Sequence, residues 1–349
     1  MVSVLCIGDP HIKVNNMVDS EMMIERLEML VKERKPDFVV CMGDVLDRHS
    51  NIHVSCLMMA EKMVDKLSQL CPFFLLIGNH DRPNNSNFLT NEHPFNSLKK
   101  WNNVYVVDTF FKWEVGGLKF LFLPYVAPQR LDEAINLALK ADNGENEKLE
   151  EYTTIFCHQE FKGAKMGGIV SEGGDKWDEK NPLVISGHIH DYDLLQHNIV
   201  YVGTPFQHTY SESIHKCVSM FTFKSSQSVN TEGSDTQNFA WEQERIDLGL
   251  KKKVTIYITP NEVHGYTPPQ DKDVKLVIKG DEASIKTIAK VAKIQELKKM
   301  GVKVVFKAVQ TIDTSKGKVV PKMSYVDRLR MEISSHAQLL DWYNKILQI

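Results

Sequence analysis

Two histidines separated by one residue, His188 and His190, follow an apolar run that has the character of a buried strand. Residues two apart in an extended segment point to the same side, so we expect both imidazoles to project together from the strand's end and to converge on one point. Imidazole is a frequent metal ligand. Histidine pairs also occur on solvated strands and turns, so this pair alone leaves both interpretations open.

Polar residues follow four other apolar runs in the same way. They are Asp9 and His11 after the first run, Asp44 and Asp47 after the second, Asn79, His80 and Asp81 after the third, and His158 after a later one. Ligand sites in open α/β sheets lie at the carboxyl ends of strands. Five such groups in order favour one shared site over a purely structural explanation.

The donor types within these groups indicate the metal. Two carboxylates, one amide oxygen and four imidazoles combine hard oxygens with borderline nitrogens, which suits manganese, iron or zinc better than calcium or magnesium alone. Seven ligands are too many for one ion, but they fit two ions about 3.5–4 Å apart with Asp44 bridging. Such a pair activates a water and holds phosphate oxygens during in-line displacement. We therefore expect two divalent ions, Mn²⁺ first, with Fe, Zn or Mg as alternatives.

Hydrophobic periodicity predicts the elements that position these residues. Apolar β-forming runs alternate with helical patterns at 20–34 and 54–70, a β-α-β-α-β series. Further short strands follow, with one helix near 130–141, so the chain begins as an α/β layer and continues as a strand-rich half. The polar stretch 224–238 predicts a mobile loop. Beyond it, the patterns predict a strand and then a β-α-β unit.

Length and composition are those of an ordinary globular protein. At 349 residues, 42% hydrophobic and 25% charged, the chain predicts one large and one smaller domain. No apolar run approaches the roughly 20 residues of a membrane span, and the first strand begins too early for a signal peptide. The six cysteines show no C-x-x-C spacing and predict reduced core residues. We therefore expect an intracellular protein that does not insert into membranes.

Charge is distributed unevenly along the chain. Residues 250–349 hold 19 of the 42 basic and 10 of the 45 acidic residues, a net charge of +9, so the remainder carries −12. An acidic body with a lysine-rich appendage indicates a cation-holding part and a part attracted to a polyanion, although a solvated lysine face is the simpler alternative. The lysines expected to contact phosphates are Lys251, Lys252, Lys253, Lys290, Lys293, Lys298 and Lys299.

The ordered motifs D-x-H, GD-x-x-D, GNHD, a lone histidine and GH-x-H resemble the signature of calcineurin-like metallophosphoesterases over residues 1 to about 223. The resemblance implies an α/β fold, a four-layer α-β-β-α sandwich, with a small appended β-α-β capping domain and C-terminal helices. His80 would be the catalytic acid that stabilises or protonates the leaving oxygen, oriented by Asp47. The resemblance also implies that Asp9, His11, Asp44 and His190 bind the first metal, and that Asp44, Asn79, His158 and His188 bind the second.

Within that group, the layout most resembles the SbcD-type nuclease subunits of DNA-repair complexes and phage recombination nucleases. The segment "IVYVGTPFQHTYSES" resembles their Tyr-x-Gly-Ser/Thr-Pro segment, and the basic appendage lies where they carry a DNA-contacting capping domain. Archaeal and eukaryotic members usually have a histidine three residues after the bridging aspartate. This chain has Asp47 there, which places it nearer the SbcD and phage type.

The predicted domains are a catalytic domain at 1–223, a flexible loop at 224–240, a basic capping domain at 241–310, a linker at 311–323 and helices at 324–349. Apolar stripes on those last helices need cover. Packing back on the chain itself is one alternative. By the resemblance, the other is docking on the coiled coil of an SbcC-like ATPase. The sequence also leaves open whether the chain forms a homodimer.

The first functional hypothesis is a two-metal DNA nuclease, exonuclease or endonuclease, that hydrolyses phosphodiester bonds with a bridging hydroxide in an SbcCD-like repair or recombination complex. One alternative is a phosphomonoesterase or protein phosphatase, although protein phosphatases of this group carry GNHE. Another is a non-catalytic DNA-end scaffold, against which the complete ligand set argues.

Arg48, Arg82 and Lys13 flank the ligand motifs and are candidates to hold phosphate or DNA, with an ordinary surface role as the alternative. We interpret His49, His53 and His208 as loop or packing histidines.

Overall fold

The structure, a computed structural model, describes residues 1–49, 51–140, 147–226, 238–309 and 339. Its largest part is built on two six-stranded sheets. In their order across the first sheet, the strands are β14 (Asn238–Ile246), β13 (Val218–Ser226), β1 (Val2–Ile7), β2 (Phe38–Cys41), β3 (Phe73–Leu76) and β4 (Val104–Val107). Strands β1 to β4 are parallel, β13 is antiparallel to β1, and β14 is antiparallel to β13.

The second sheet has a parallel centre and antiparallel edges. Its strands are, in order, β11 (Asp193–Gln196), β12 (Ile199–Tyr201), β10 (Leu183–Ser186), β7 (Thr154–Cys157), β6 (Leu118–Phe122) and β5 (Phe111–Val115). A two-stranded hairpin, β8 (Lys165–Met166) and β9 (Ile169–Val170), stands apart from it. The central strands are buried on both faces, which explains their unbroken apolar sequences.

The two sheets face each other across an aromatic core. Phe74 from the first sheet stacks on Phe122 from the second, with ring centroids 4.2 Å apart. Helices α1 (Met17–Arg34) and α2 (Val54–Ser68) cover the outer face of the first sheet, and α3 (Leu131–Lys140) covers the second. This confirms the predicted four-layer α-β-β-α sandwich.

A smaller three-stranded parallel sheet follows the sandwich. It comprises β15 (Lys252–Ile258), β16 (Lys272–Gly280) and β17 (Lys303–Ala308), with α4 (Glu282–Ile288) and α5 (Ala292–Lys299) packed on one face. This is the predicted strand followed by a β-α-β unit, with two short helices in the crossover. We call residues 252–309 the appended domain.

The structure moves one predicted boundary. Strand β14 pairs with β13 along its full length and places Phe239 and Trp241 against the core between the sheets. Residues 238–246 therefore belong to the sandwich, and the appended domain begins at β15 rather than at 241. The centre of the predicted loop, 227–237, the linker at 311–323 and the predicted helices at 324–349, apart from Leu339, lie outside the described residues.

The predicted cysteine and membrane features can be compared with the described part of the chain. Five cysteines are buried and Cys217 is half-buried, all with free thiols. Among the described residues, no helix is both long and apolar enough to cross a bilayer.

A buried carboxylate near β4 gives a prediction about acid stability. Asp108 accepts a hydrogen bond from the His93 ring at 3.1 Å and pairs with Lys99. Burial would raise the pKa of Asp108, but these two partners hold it below its usual value. Because the folded pKa is depressed, this stabilisation is present above the unfolded pKa near 4 and is lost as the pH falls.

We expect Asp108→Asn to reduce the free energy of unfolding by about 1–3 kcal/mol at pH 7. The difference from the wild type should shrink as urea unfolding is repeated from pH 7 down to pH 3. A deficit that is equally large at pH 3 would contradict the ionic origin of the stabilisation.

Candidate metal centre

Loops that follow β1, β2 and β3 of the first sheet meet loops that follow β7 and β10 of the second sheet. The first of two clusters contains Asp9, His11 and His190, whose ligand atoms all lie within 4.8 Å of one another. The Nε2 atoms of His11 and His190 face each other at 3.1 Å. Two imidazole nitrogens so close are well placed to share a cation.

The second cluster contains Asp44, His158 and His188, again with ligand atoms within 4.8 Å. Asn79 joins it, because its Oδ1 lies 3.1 Å from His158 Nε2 and 3.0 Å from His188 Nδ1. His158 donates its other ring nitrogen to the Met42 carbonyl at 2.7 Å, which fixes the ring and leaves Nε2 free for an ion.

Asp44 faces both clusters. Its Oδ2 lies 3.3 Å from His158 Nε2 in the second cluster and 3.7 Å from His11 Nε2 in the first. A carboxylate in this position can contact two ions at once, which is the placement that a bridging ligand requires.

The two histidines of GH-x-H do not converge as the extended geometry predicted. Strand β10 ends at Ser186, and His188 has a left-handed backbone with φ of 76°. The two imidazoles therefore point to different clusters, His188 to the second and His190 to the first. The prediction of one shared point from i, i+2 alternation was wrong, because the strand had already ended.

Backbone strain is concentrated at the same site. His11, Asp44 and His188 have φ values of 41°, 48° and 76°, a region that side-chain-bearing residues rarely adopt. Glycine makes room for this arrangement: a Cβ at Gly78 would lie 2.2 Å from Asp44 Oδ1. Strained residues of this kind persist where packing forces them, and they cluster at functional sites.

The electrostatics of the buried site suit cations. Asp9 Oδ1 is buried without a hydrogen-bond partner, and burial, opposed by His158, raises the pKa of Asp9 to about 6. Burial lowers the pKa of His11 well below its ordinary value, which favours the neutral, metal-binding imidazole. Burial would raise the pKa of Asp44, but His158 and His11 hold it well below the usual range. The residues present therefore fit two divalent ions, whose identity the donor set does not fix.

Residues 2–192 match the family described as calcineurin-like phosphoesterase. The chain belongs to this family. It is 36% identical over 325 residues to "Putative phosphoesterase 078R" of Invertebrate iridescent virus 3, covering 90% of this chain and 88% of that protein. It is also 33% identical over 290 residues to "Putative phosphoesterase 244L" of Invertebrate iridescent virus 6, covering 82% and 97%. Members of the family use divalent metals to hydrolyse phosphoesters, and the two clusters lie where this phosphoesterase would hold them.

The predicted acid of this phosphoesterase, His80, lies beside the clusters and is one-third exposed, with Nε2 4.0 Å from Asp44 Oδ2. Its Nδ1 donates to the backbone carbonyl of Asp47 at 3.0 Å. The Asp47 carboxylate instead binds Lys13 Nζ at 2.8 Å. Asp47 thus contacts His80 through its main chain.

The three phosphate candidates have different environments. Arg82 is 1% exposed and donates to the Tyr125 carbonyl at 2.8 Å and to the Asn84 carbonyl at 3.1 Å. It is therefore committed to main-chain oxygens, and neither predicted role, phosphate binding or an ordinary surface position, fits it. Lys13 and Arg48 line an open cavity of about 620 Å³ next to Asp47, where a substrate could reach them.

Several side chains that support the ligands carried no assigned role in the sequence. Asp81 is buried and accepts from the backbone N–H groups of Leu46 at 3.0 Å and Gly78 at 3.1 Å, so it joins two ligand loops. Burial and the Asp44 charge raise the pKa of Asp81 to about 7. Its place in the GNHD motif was visible in the sequence, but its hydrogen bonds were not.

The loop after β12 provides a second group of supporting residues. His208 is buried against His11 and His190, and its Nε2 lies 3.1 Å from the Asp9 carbonyl. Glu212 lies 3.8 Å from His190 Nδ1 and accepts the His208 backbone N–H at 2.9 Å. The resemblance of segment 199–213 marked this loop, but only the tertiary fold shows that His208 and Glu212 contact the ligands.

Glu212 gives a prediction about metal affinity. A carboxylate behind a ligating histidine orients the ring and raises its basicity, and losing it weakens metal binding by about 10–100-fold. We expect Glu212→Gln to weaken Mn²⁺ binding at the first cluster by about tenfold, measured by calorimetric titration. Glu133→Gln on α3, where Glu133 pairs only with Arg130 in the described structure, is the control and should leave affinity unchanged. Wild-type Mn²⁺ affinity in Glu212→Gln would show that Glu212 does not support the ligand His190.

Proposed function

We propose that this phosphoesterase is a two-metal DNA nuclease. The observation that carries the proposal is the hydrogen-bonded connection between a lysine-rich domain and the loop that packs on the metal ligands. Gln207, next to His208, accepts the Lys253 backbone N–H at 2.7 Å and donates to the Lys253 carbonyl at 3.1 Å. The Lys253 ammonium binds Asp19 of α1 at 2.7 Å. The appended domain is thereby attached to the loop that packs on the ligands.

The charge of the appended domain supports a polyanionic substrate. Residues 252–309 contain 12 lysines and 6 acidic residues. A phosphomonoesterase for small substrates has no need of such a domain, whereas phosphate contacts along a DNA backbone give lysines a function. The relatives' printed names, both phosphoesterases, agree with either substrate class.

Each part of the site has a role in hydrolysis of a phosphodiester. When bound, the two metals supply Lewis-acid activation of water and neutralise charge on the phosphate. Asp9, His11 and His190 would hold one ion, and the second cluster with Asn79 would hold the other. A main-chain carbonyl fixes His80 Nδ1 as a donor, so Nε2 faces the site; the doubly protonated ring would release the Nε2 proton to the leaving oxygen and keep its Nδ1 hydrogen bond.

The test compares four substrates with purified protein and Mn²⁺: duplex DNA with blunt ends, single-stranded DNA, bis(p-nitrophenyl) phosphate and p-nitrophenyl phosphate. We expect cleavage of DNA and of the diester, with the monoester much slower. Preference for the monoester with intact DNA would instead support a phosphomonoesterase. Tight DNA binding with no hydrolysis of any substrate would support the scaffold alternative.

We also propose that the phosphoesterase acts with a coiled-coil ATPase of the SbcC type, in a DNA repair or recombination complex within the cell. The support is the sequence of residues 324–349, whose apolar stripes need cover. Deletion of 324–349 is expected to leave diester hydrolysis intact and to abolish co-purification with such an ATPase. Unfolding of the truncated protein would support docking in cis, and undiminished co-purification would reject the proposed contact.

A further inference from the structure

In the part of the chain that the structure describes, no helix packs on one face of the appended sheet. Side chains alternate between the two faces of a strand, so residues such as Ile256, Leu276 and Ile278 pack on α4 and α5. The strand register then places the intervening residues together on the other face. These are Thr255, Lys275 and Lys303 in one row, Tyr257, Val277 and Val305 in the next, and Lys279 and Lys307 beyond them. We call this surface the lysine face.

The lysine face carries uncompensated positive charge. Lys279, Lys303 and Lys307 are exposed and Lys275 is half-buried. Within the described ranges, none of these four forms an ion pair, whereas lysines elsewhere in the domain do, as Lys293 does with Glu296 at 3.0 Å. A flat, positively charged surface of this kind complements a polyanion.

An exposed aromatic ring stands among these lysines. Tyr257 is 60% exposed, and Lys279 Nζ lies 4.1 Å from its ring centroid. Nucleic-acid bases stack on exposed aromatic rings of sheets while lysines contact the phosphates. In a duplex the bases already stack on each other and are not free to cover a ring, so this combination favours single strands.

The lysine face borders the loop that packs on the metal ligands. Lys303 Nζ lies 5.8 Å from the ring of Tyr210, two residues beyond His208 in the loop that packs on the ligands. In the row nearest the sandwich, Lys253 and Asp273 are joined to α1 through Asp19. A strand lying on the face would therefore reach the loop that packs on the ligands.

We propose that the lysine face binds single-stranded DNA, with a base stacked on Tyr257 and phosphates held by Lys275, Lys279, Lys303 and Lys307. This rests on the proposed nuclease function, whose substrate strand the face would present to the metals. It also changes the predicted DNA contacts, because the lysines of α5 lie on the other side of the sheet.

The test measures binding of a 15-nucleotide oligothymidylate and of a blunt duplex by fluorescence anisotropy in EDTA, so that no cleavage occurs. We expect Tyr257→Leu to weaken single-strand binding about tenfold and duplex binding less than twofold, and Tyr257→Phe to bind as the wild type does. The double variant with Lys279→Ala and Lys307→Ala should lose about one to two phosphate contacts, which is measured as a shallower slope of log affinity against log salt concentration for the single strand. The matched control is the double variant with Lys298→Ala and Lys299→Ala on α5, which should change neither the affinity for the single strand nor its salt dependence.

Single-strand affinity within twofold of wild type in Tyr257→Leu, or an equal effect of the α5 pair, would overturn the proposal. Hydrolysis of bis(p-nitrophenyl) phosphate reports on the metals independently and should be unchanged in every variant. If the wild type cuts no DNA but loses single-strand affinity with Tyr257→Leu, the nuclease function fails and the lysine face stands. If the wild type cuts DNA and Tyr257→Leu binds single strands normally, the nuclease function stands and the proposed role of the lysine face fails.

Discussion

His80→Ala is expected to keep both metals and to lose most of its turnover. The kcat for phosphoester hydrolysis should fall by about 10²–10⁴-fold, the range for loss of a general acid, with little change in KM. The physical reason is position: His80 Nε2 faces the clusters at 4.0 Å from Asp44 but is not among their closely spaced ligand atoms. The His80 backbone N–H, which donates to Asp44 Oδ1 at 2.8 Å, survives the substitution.

Metal content per chain, measured by mass spectrometry after desalting, checks this expectation. Asn79→Ala and His188→Ala should lose metal and activity together, because both side chains belong to the second cluster. His49→Ala is the matched control: its ring stacks on His80 at 4.6 Å and should alter kcat only a few-fold. A His80→Ala protein with an empty metal position would show that His80 is a ligand.

Asp44→Asn is expected to weaken both metals at once. The carboxylate lies 3.3 Å from His158 and 3.7 Å from His11, so one substitution removes negative charge from both clusters. Activity should fall by about 10³-fold, since even partners behind the ligands change metal affinity by about 10–100-fold. Asparagine tolerates a left-handed backbone, so the φ of 48° at this position can be kept.

Titration with Mn²⁺ and thermal unfolding with and without Mn²⁺ measure the effect. A bound metal stabilises the folded state, so added Mn²⁺ should raise the Tm of the wild type and much less that of Asp44→Asn. His190→Ala and His158→Ala serve as comparisons, each expected to lose one metal. Retention of both metals in Asp44→Asn would show that the carboxylate is not shared.

The sequence predicted the central strands because their apolar runs are continuous and buried on both faces. It did not predict β4 and β5, nor the β13 and β14 hairpin. Strand β5 is half-exposed and β14 carries a mixed polar sequence, "NFAWEQERI", at a sheet edge. Edge strands such as β5 and β14 bury only part of their side chains, so their composition resembles that of loops; this reason does not apply to β13, which lies inside the sheet, or to the apolar β4.

The sequence by itself determined the ligand types and their order, because a metal site needs particular donor atoms and parallel strands present them at one edge. The family resemblance implied a division of the donors between two ions, but only the tertiary structure gives the physical reason for it. A backbone φ of 76° sends His188 to the second cluster and leaves His190 in the first. The support of Glu212 and His208 likewise depends on contacts between residues far apart in the chain. Such contacts arise from packing and backbone strain, neither of which has a local sequence pattern.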